Sequence, residues 1–320
     1  MTQNQAAAGI NAPKKRTWLG RLGKDLVQNR YLYLMFVPVL VIYILFMYIP
    51  MYGVIIAFKD FNPGLGILGS EWVGFQHFEN FFSSYYFGRI LRNTLIISGL
   101  SLLVNFPAPI IFALLLNEIR LKRFKKFVQS VTYFPHFLST VIVCGLIIEF
   151  CSTHGAINQI IQIFSPDTPV RNLLAEKSLF RPIYIISGVW QNFGWDSIIY
   201  LAALSGVDSS LYEATVIDGA GRWKQTLHVS IPSILPTIVI MLILAIGGLM
   251  NVGWEKIVLL YSPTTYETAD VISSFVYRRG LIENDFSFST AVGLFNSLVN
   301  FLLIMITNRI SKAVTENSLW

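Results

Sequence analysis

Residues 206–236 read GVDSSLYEATVIDGAGRWKQTLHVSIPSILP, and two apolar runs bracket them, Ile183–Leu204 before and Ile234–Leu249 after. A helix crossing the hydrocarbon of a bilayer needs about 20 predominantly apolar residues, so the stretch between the runs reads as a loop on one side of a membrane. Its own chemistry is helical. Ser210 with Glu213 fits the Ser-x-x-Glu capping box, in which each side chain satisfies an orphan amide of the first turn. Leu211, Tyr212, Ala214, Val216 and Ile217 then supply an apolar surface too broad for one loop to hide. Gly219 and Gly221 end this short helix and permit a sharp turn. Trp223 and Leu227 begin a second amphipathic piece. Pro232 and Pro236 suit the entry to the next span, where a missing N–H costs least. Such a loop serves either as a knob laid in the groove of a partner protein or as a helix folded onto the membrane surface. The residues alone leave both roles open.

Working outward, the composition supports lipid as the solvent. The chain has 320 residues, 54% hydrophobic and 13% charged, against about 25% charged in ordinary globular domains. Six apolar segments stand out, at 31–58, 91–116, 128–150, 183–204, 234–249 and 291–310. The fifth is short and is expected to continue through residues 252–261. Backbone groups find no water partner in hydrocarbon, so each span is expected to be helical. The predicted fold is an all-α membrane protein, a six-span helical bundle with a short helix in the loop at 206–232, which the family resemblance described below makes a cytoplasmic coupling helix. Residues 31–315 form the transmembrane domain, 1–30 an amino-terminal tail and 316–320 a carboxy-terminal tail. The first span is too long for a signal-peptide core and no small-residue cleavage site follows it. Trp18, Leu19, Leu22 and Leu26 share a face with the charges elsewhere, which predicts a short helix in the headgroup layer. Residues 1–13 read as disordered.

Lysine and arginine set the orientation. The amino-terminal tail, the second and fourth loops and the carboxy-terminal tail carry fifteen of the 24 basic residues. The positive-inside rule makes those segments, and both termini, cytoplasmic. The basic excess thus has a membrane explanation, and no nucleic acid is implied. Cys144 and Cys151 lie seven residues apart on one predicted helix, about 10 Å along its axis, too far to bridge. With the four histidines they make no metal-ligand spacing. Gly64-Leu-Gly66-Ile-Leu-Gly69 spells GxGxxG in an outward loop, but no βαβ unit surrounds it, so these are turn glycines. No Walker A lysine motif is present, and no catalytic residue is expected.

The loop at 206–236 resembles the EAA loop of binding-protein-dependent ABC importer permeases. The matching residues are Glu213, Ala214, Asp218, Gly219, Ala220, Gly221, Ile231, Pro232 and Pro236. Thr215 stands where the pattern has its second alanine, and a small β-branched residue still packs closely there. Trp190, Asn192, Gly194 and Trp195, with the run Asn251–Tyr261, look like the carbohydrate-uptake branch, particularly permeases for complex or uronate-containing oligosaccharides. The resemblance covers residues 30–315. It implies a permease subunit of an ATP-driven oligosaccharide importer, in which residues 209–227 carry ATPase closure to the spans. Glu213, Ala214, Thr215, Asp218, Gly219, Ala220 and Gly221 would be the ATPase-coupling residues. Implied partners are a second, paralogous permease subunit, a cytoplasmic ATPase dimer and an external or periplasmic sugar-binding protein. No cofactor would be bound by this chain; ATP and Mg would be used by the partner ATPase.

Ionisable groups inside a span default to functional hypotheses. Asn192 and Asp196 share a helix face that Tyr200 continues, and Trp190 and Trp195 offer rings on which a sugar stacks. These five are the candidate substrate path. Ser98, Ser101 and Asn105 in the second span, and Ser289, Gly293, Asn296, Asn300 and Thr307 in the sixth, form small or polar stripes that favour helix–helix packing. Glu255 and Lys256 are expected near the outer end of the fifth span, paired or snorkelling. A secondary transporter or channel working without an ATPase would need an ion relay, for which Asp196 alone is thin. A membrane-embedded enzyme would need paired acids, a metal set or an activated nucleophile, and the spans offer none.

Overall fold

The computed structural model describes residues 25–315 of the chain. The expected headgroup-layer helix through Trp18, Leu19 and Leu22, the residues 1–13 and the tail at 316–320 lie outside the described residues. The chain divides between Ile55 and Ile56 into two compact units.

The first unit consists of a helical segment, α1, which runs Arg30–Phe58 with its last turns beyond the division. It widens to a π-turn at Ile44–Tyr48, ahead of Pro50. Proline cannot donate its amide to the preceding turn, and a local widening is one way the ladder adjusts around it. Large apolar side chains such as Leu32, Phe36, Phe46 and Met47 are exposed along it, the condition of a helix bathed in lipid.

In the second unit, α2 (Gln76–Ser83) and α3 (Phe87–Glu118) follow a two-strand hairpin, with β1 (Lys59–Asp60) antiparallel to β2 (Glu71–Trp72). The GxGxxG run forms the turn of this hairpin, as expected. Phe58 stacks on Trp72 with centroids 5.8 Å apart, and Phe81 is fully buried, so the aromatic-rich first loop is folded. Next come α4 (Lys122–Tyr133), α5 (Thr140–Cys151), α6 (Ala156–Phe164) and the 29-residue α7 (Lys177–Ser205). The chain ends with α8 (Ser209–Ile217), α9 (Arg222–Gly247), α10 (Trp254–Leu260), α11 (Ile272–Tyr277) and α12 (Phe286–Thr315).

Helix α7 is the axis of this unit. It packs against both halves of α3, against α4 and against α9. Where α7 crosses α4, a Cβ on Gly194 would stand 2.3 Å from the carbonyl oxygen of Thr132. Only glycine allows that approach. Three apolar clusters fill the contacts. One joins Ile97, Val143, Ile147, Phe180 and Ile257; a second joins Phe81, Ile90, Phe275 and Val292; a third joins Ala113, Tyr200, Leu204 and Ile234.

The all-helical membrane architecture holds, with three revisions. Residues 128–150 are not one helix. The chain breaks at Phe134–Ser139, where Pro135 removes an amide donor and Ser139 caps a new helix by accepting from Ile142 N. The apolar segment there is instead Thr140–Phe164. The fifth span does not continue to Tyr261: α9 stops at Gly247, and α10 is separate after a turn through Asn251. Among the described residues, five helical segments meet the length and hydropathy expected of a span, and α7 is not one of them. At about 1.5 Å per residue α7 is long enough, but Gln191, Asn192 and Asp196 lower its hydropathy.

The segment before α11 is pinned by a buried acid. Asp270 is 0% exposed and pairs with Arg278 at 2.7 Å and Arg89 at 3.6 Å. Ser274 Oγ donates to its carboxylate at 2.8 Å. Asn93 Nδ2 donates to the carbonyl oxygens of Asp270 and Glu267, and Arg181 donates to Asn93 Oδ1 at 2.8 Å. The network joins α3, α7 and α11. Removing one member of a buried ion pair strands the other, at a cost of about 3–5 kcal/mol. Asp270→Ala is therefore expected to lower the unfolding midpoint of the detergent-solubilised protein clearly. An unchanged midpoint would contradict this role.

Candidate functional site

Two places carry the chemistry singled out in the sequence: the loop between α7 and α9, and a cavity beside α7.

Helix α8 is closed at both ends by its own residues. At its start Asp208, not Ser210, is the cap: Asp208 Oδ1 accepts from Ser210 N at 2.9 Å. The expected Ser210–Glu213 capping box is absent because the helix begins one residue earlier, at Ser209. That leaves Glu213 exposed in the body of the helix. The backbone amide of Ser210 holds the Asp208 carboxyl below its ordinary value. At the far end Gly219 takes φ +73°. Its N–H bonds to Val216 O at 3.0 Å, and Ala220 N–H bonds to Thr215 O at 2.9 Å. These are the paired bonds of a Schellman ending, which favours glycine at the left-handed position.

A helix so well terminated normally hides one face, yet α8 contains no buried residue. Ile217 is 86% exposed, Trp223 74% and Val216 63%. The polar attachments run the other way, into the membrane helices. Tyr212 Oη and the buried Ser230 Oγ are 2.9 Å apart, and Arg222 pairs with Glu118 at the end of α3. The expected second short amphipathic piece is not separate. Arg222 onward is continuous with the span, through a π-turn at Thr226–Ser230 into Ile231–Gly247, with Pro232 in its first turn. Of the coupling candidates, Glu213, Ala214, Asp218, Gly219 and Gly221 are exposed, and Thr215 and Ala220 partly so.

The cavity holds about 1240 Å³ and is lined from α3, α7, α9, the 134–140 break and the residues leading into α10. That exceeds the roughly 300–1,000 Å³ typical of small-ligand pockets. Four of the five path candidates, Asn192, Trp195, Asp196 and Tyr200, line it. Trp190 does not, because it projects from another side of α7. Asn192 and Asp196 sit near the middle of α7, which places polar groups at depth only where they face a wet space. Tyr200 is 2% exposed and belongs equally to the apolar cluster with Ala113 and Ile234.

The sequence reading passed over His136. It stacks on Trp195 with centroids 4.7 Å apart and planes 4° from parallel, and its Nδ1 lies 3.0 Å from Asn192 Oδ1. Pro135 beside it was the available signal, since the helix break turns His136 inward. Two further expectations change. Ser98, Ser101 and Asn105 line the cavity rather than a packed helix seam. Lys256 is buried beside the same cavity and makes no ion pair with Glu255 among the described residues. In the sixth span the packing reading holds for two asparagines: Asn296 and Asn300 both donate to Asn251 Oδ1, and Asn300 Oδ1 accepts from Met250 N. No group of three or more histidines, cysteines or acids that could hold a metal occurs among the described residues.

Comparison with known proteins agrees with this architecture. Residues 105–316 match the family described as binding-protein-dependent transport system inner membrane component. A Bacillus subtilis protein, the polygalacturonan/rhamnogalacturonan transport system permease protein YteP, is 45% identical over 301 residues, 94% of this chain and 93% of that one. A crystal structure of a bacterial ABC transporter involved in the import of the acidic polysaccharide alginate contains a chain of 42% identity. It superposes with a TM-score of 0.85 over 92% of this chain and 99% of that chain. The bacterial alginate ABC transporter in complex with an alginate pentasaccharide-bound periplasmic protein gives 41% identity and the same TM-score, over 93% and 100%. A multi-pass helical chain with an exposed, doubly capped helix between two membrane helices, matched over nearly its whole length, belongs to the binding-protein-dependent inner membrane components, the non-catalytic permease subunits of ABC importers.

Proposed function

We propose that this permease imports an acidic oligosaccharide, driven by a separate ATPase dimer that grips α8 and the first turn of α9. The observation that carries the coupling half is the exposure of α8: a helix capped by Asp208 and Gly219 that buries none of its own residues. The substrate half draws on the relatives, which are described as handling polygalacturonan, rhamnogalacturonan and alginate. The size and polar lining of the cavity suit several sugar rings.

The path of force follows from the attachments. Pushing on Ile217 or Trp223 moves α8, Tyr212 passes the motion to Ser230, and Arg222 passes it to Glu118. Because residues 222–247 are continuous, the gripped turn is itself the end of a span. ATP must bind more favourably to the outward-open state, and so must the loaded binding protein, or neither shifts the equilibrium. Glu213, Ala214, Thr215, Asp218, Gly219, Ala220 and Gly221 are the coupling residues in this reading. A second, paralogous permease closes the other side of the path, and a periplasmic or extracellular binding protein delivers the sugar. Six spans with both termini in the cytoplasm place α8 on the ATPase side, as the distribution of basic residues favours. ATP and Mg belong to the partner ATPase.

The test is the reconstituted complex of both permeases, ATPase and binding protein. Its ATPase activity is expected to rise with binding protein loaded with galacturonate oligosaccharides and to rise less with neutral ones. Ile217→Asp should put a charge at the contact and abolish stimulation while leaving the membrane fold intact. Gly219→Val forces a β-branched residue to positive φ, where it is strained, and should reduce capture of the ATPase subunit. Full stimulation in both variants would sink the coupling role.

Asp208 makes a separate prediction. Its carboxyl is depressed below 3.8, so the cap contributes above that ordinary value and is lost as pH falls through the lower folded value. Titration of this group should therefore not alter coupling near neutral pH. Asp208→Ala should weaken stimulation there, and Asp208→Asn, which keeps an accepting oxygen, should not. Equal loss in both variants would mean the charge matters and the cap does not.

A further inference from the structure

The cavity contains a cation whose surroundings fit a ligand better than they fit packing. Lys256 is 9% exposed, and its Nζ donates only a long bond, 3.3 Å, to the carbonyl oxygen of Tyr184. The same Nζ lies 5.0 Å from the Tyr184 ring centroid. An ammonium has three N–H groups to satisfy, and burying it without an anion is costly. No carboxylate lies within ion-pair distance of it among the described residues. The adjacent Glu255 lines the same cavity but is exposed and does not pair with Lys256 among the described residues. Asp196 lines the cavity eight residues, roughly 12 Å, further along α7 than the level of Lys256.

That level is marked by Gly188. The place its Cβ would occupy is 3.8 Å from Lys256 Nζ and 3.3 Å from Asn105 Nδ2, so the ammonium and the amide converge on one spot above bare backbone. Asn105 Oδ1, Ser101 Oγ and Ser98 Oγ are buried and have no hydrogen-bond partner. Positions 98, 101 and 105 fall on one face of α3, and all three residues line the cavity. Ser98 is 6% exposed. A helix seam would satisfy these groups against its neighbour. Here a cation, an amide and two hydroxyls are left facing the same space.

We infer that Lys256, Asn105, Ser101 and Ser98 form a binding subsite for a uronate residue of the substrate, the ammonium taking its carboxylate and the α3 side chains its hydroxyls. The subsite rests on the acidic-oligosaccharide reading above and assigns the recognition of charge to one residue of this chain. Its position places the acidic ring against α3 and α10, and a neighbouring ring toward the His136–Trp195 stack. A charge-assisted bond between ammonium and carboxylate, set in a site shielded from bulk water, distinguishes a charged sugar from its neutral form by about tenfold or more.

The experiment uses the complete importer in proteoliposomes. The probes are a galacturonate trisaccharide and its methyl ester, each presented on saturated binding protein so that the binding protein's own selectivity drops out. The wild type should turn over the acid form faster than the ester. Lys256→Gln should erase that preference by slowing the acid form about tenfold and the ester little, and Lys256→Arg should keep it. Asn105→Asp, isosteric with the native residue, should erase it too by pairing with Lys256. A Lys256→Gln importer that keeps the wild-type preference would overturn the subsite and leave the acidic substrate standing. Equal slowing of both forms would show that Lys256 only holds the fold. A wild type that prefers the ester would overturn both the subsite and the substrate reading.

Discussion

Hydrocarbon supplies no hydrogen-bond partner, so every polar group carried into it must be paired inside the chain or turned toward a wet space. The arrangement of this protein follows from that constraint. The backbone is satisfied by helices. Asn296 and Asn300 both donate to Asn251 Oδ1 where α9 stops and α12 passes. Asp270 is enclosed by Arg278, Arg89 and Ser274. Asn192, Asp196, Glu255, Lys256 and the polar face of α3 line one cavity. Polar groups gathered along one large cavity suit a conduit, since packing alone gives no reason to collect them on one open space.

The same constraint sets α8 apart. Outside the hydrocarbon a helix is free to be polar, yet α8 presents Val216 and Ile217, and the first turn of α9 Trp223, to their surroundings, while Tyr212 of α8 reaches Ser230 and Arg222 of α9 reaches Glu118. In the proposed coupling, this apolar surface, mounted on a rigid turn and joined through Tyr212 to the start of the following span, would convert a push into motion of the bundle. Continuity of residues 222–247 makes the connection stiff. A flexible loop would absorb the motion instead.

Much of this was legible in the sequence. The low charge content and the apolar segments fixed the solvent, and Gly219 marked the end of α8 because its position needs positive φ. Other features depend on tertiary context. The cap falls on Asp208 and not Ser210, since either residue can start a helix and the choice depends on how α7 ends. The break at 134–139 was signalled by Pro135, but the surrounding hydrophobicity runs straight through it. Lys256 was visible as a cation inside an apolar run. Its burial was not, because an uninterrupted fifth helix would have carried it toward the outer surface, and the turn after Gly247 returns it to the cavity. His136 was hidden for a related reason: its stack on Trp195 joins residues 59 positions apart across a crossing that Gly194 permits.

The central claim is that α8 is held by a separate motor, and proximity tests it most directly. Cys144 and Cys151 are both buried, so a cysteine placed at position 217 can carry a photoreactive probe at a single exposed site. In the assembled importer the account predicts that the probe cross-links to the ATPase subunit, with a yield that changes when the ATPase is trapped in its closed state. A probe that labels lipid or this chain alone, with the ATPase present and hydrolysing ATP, would contradict it.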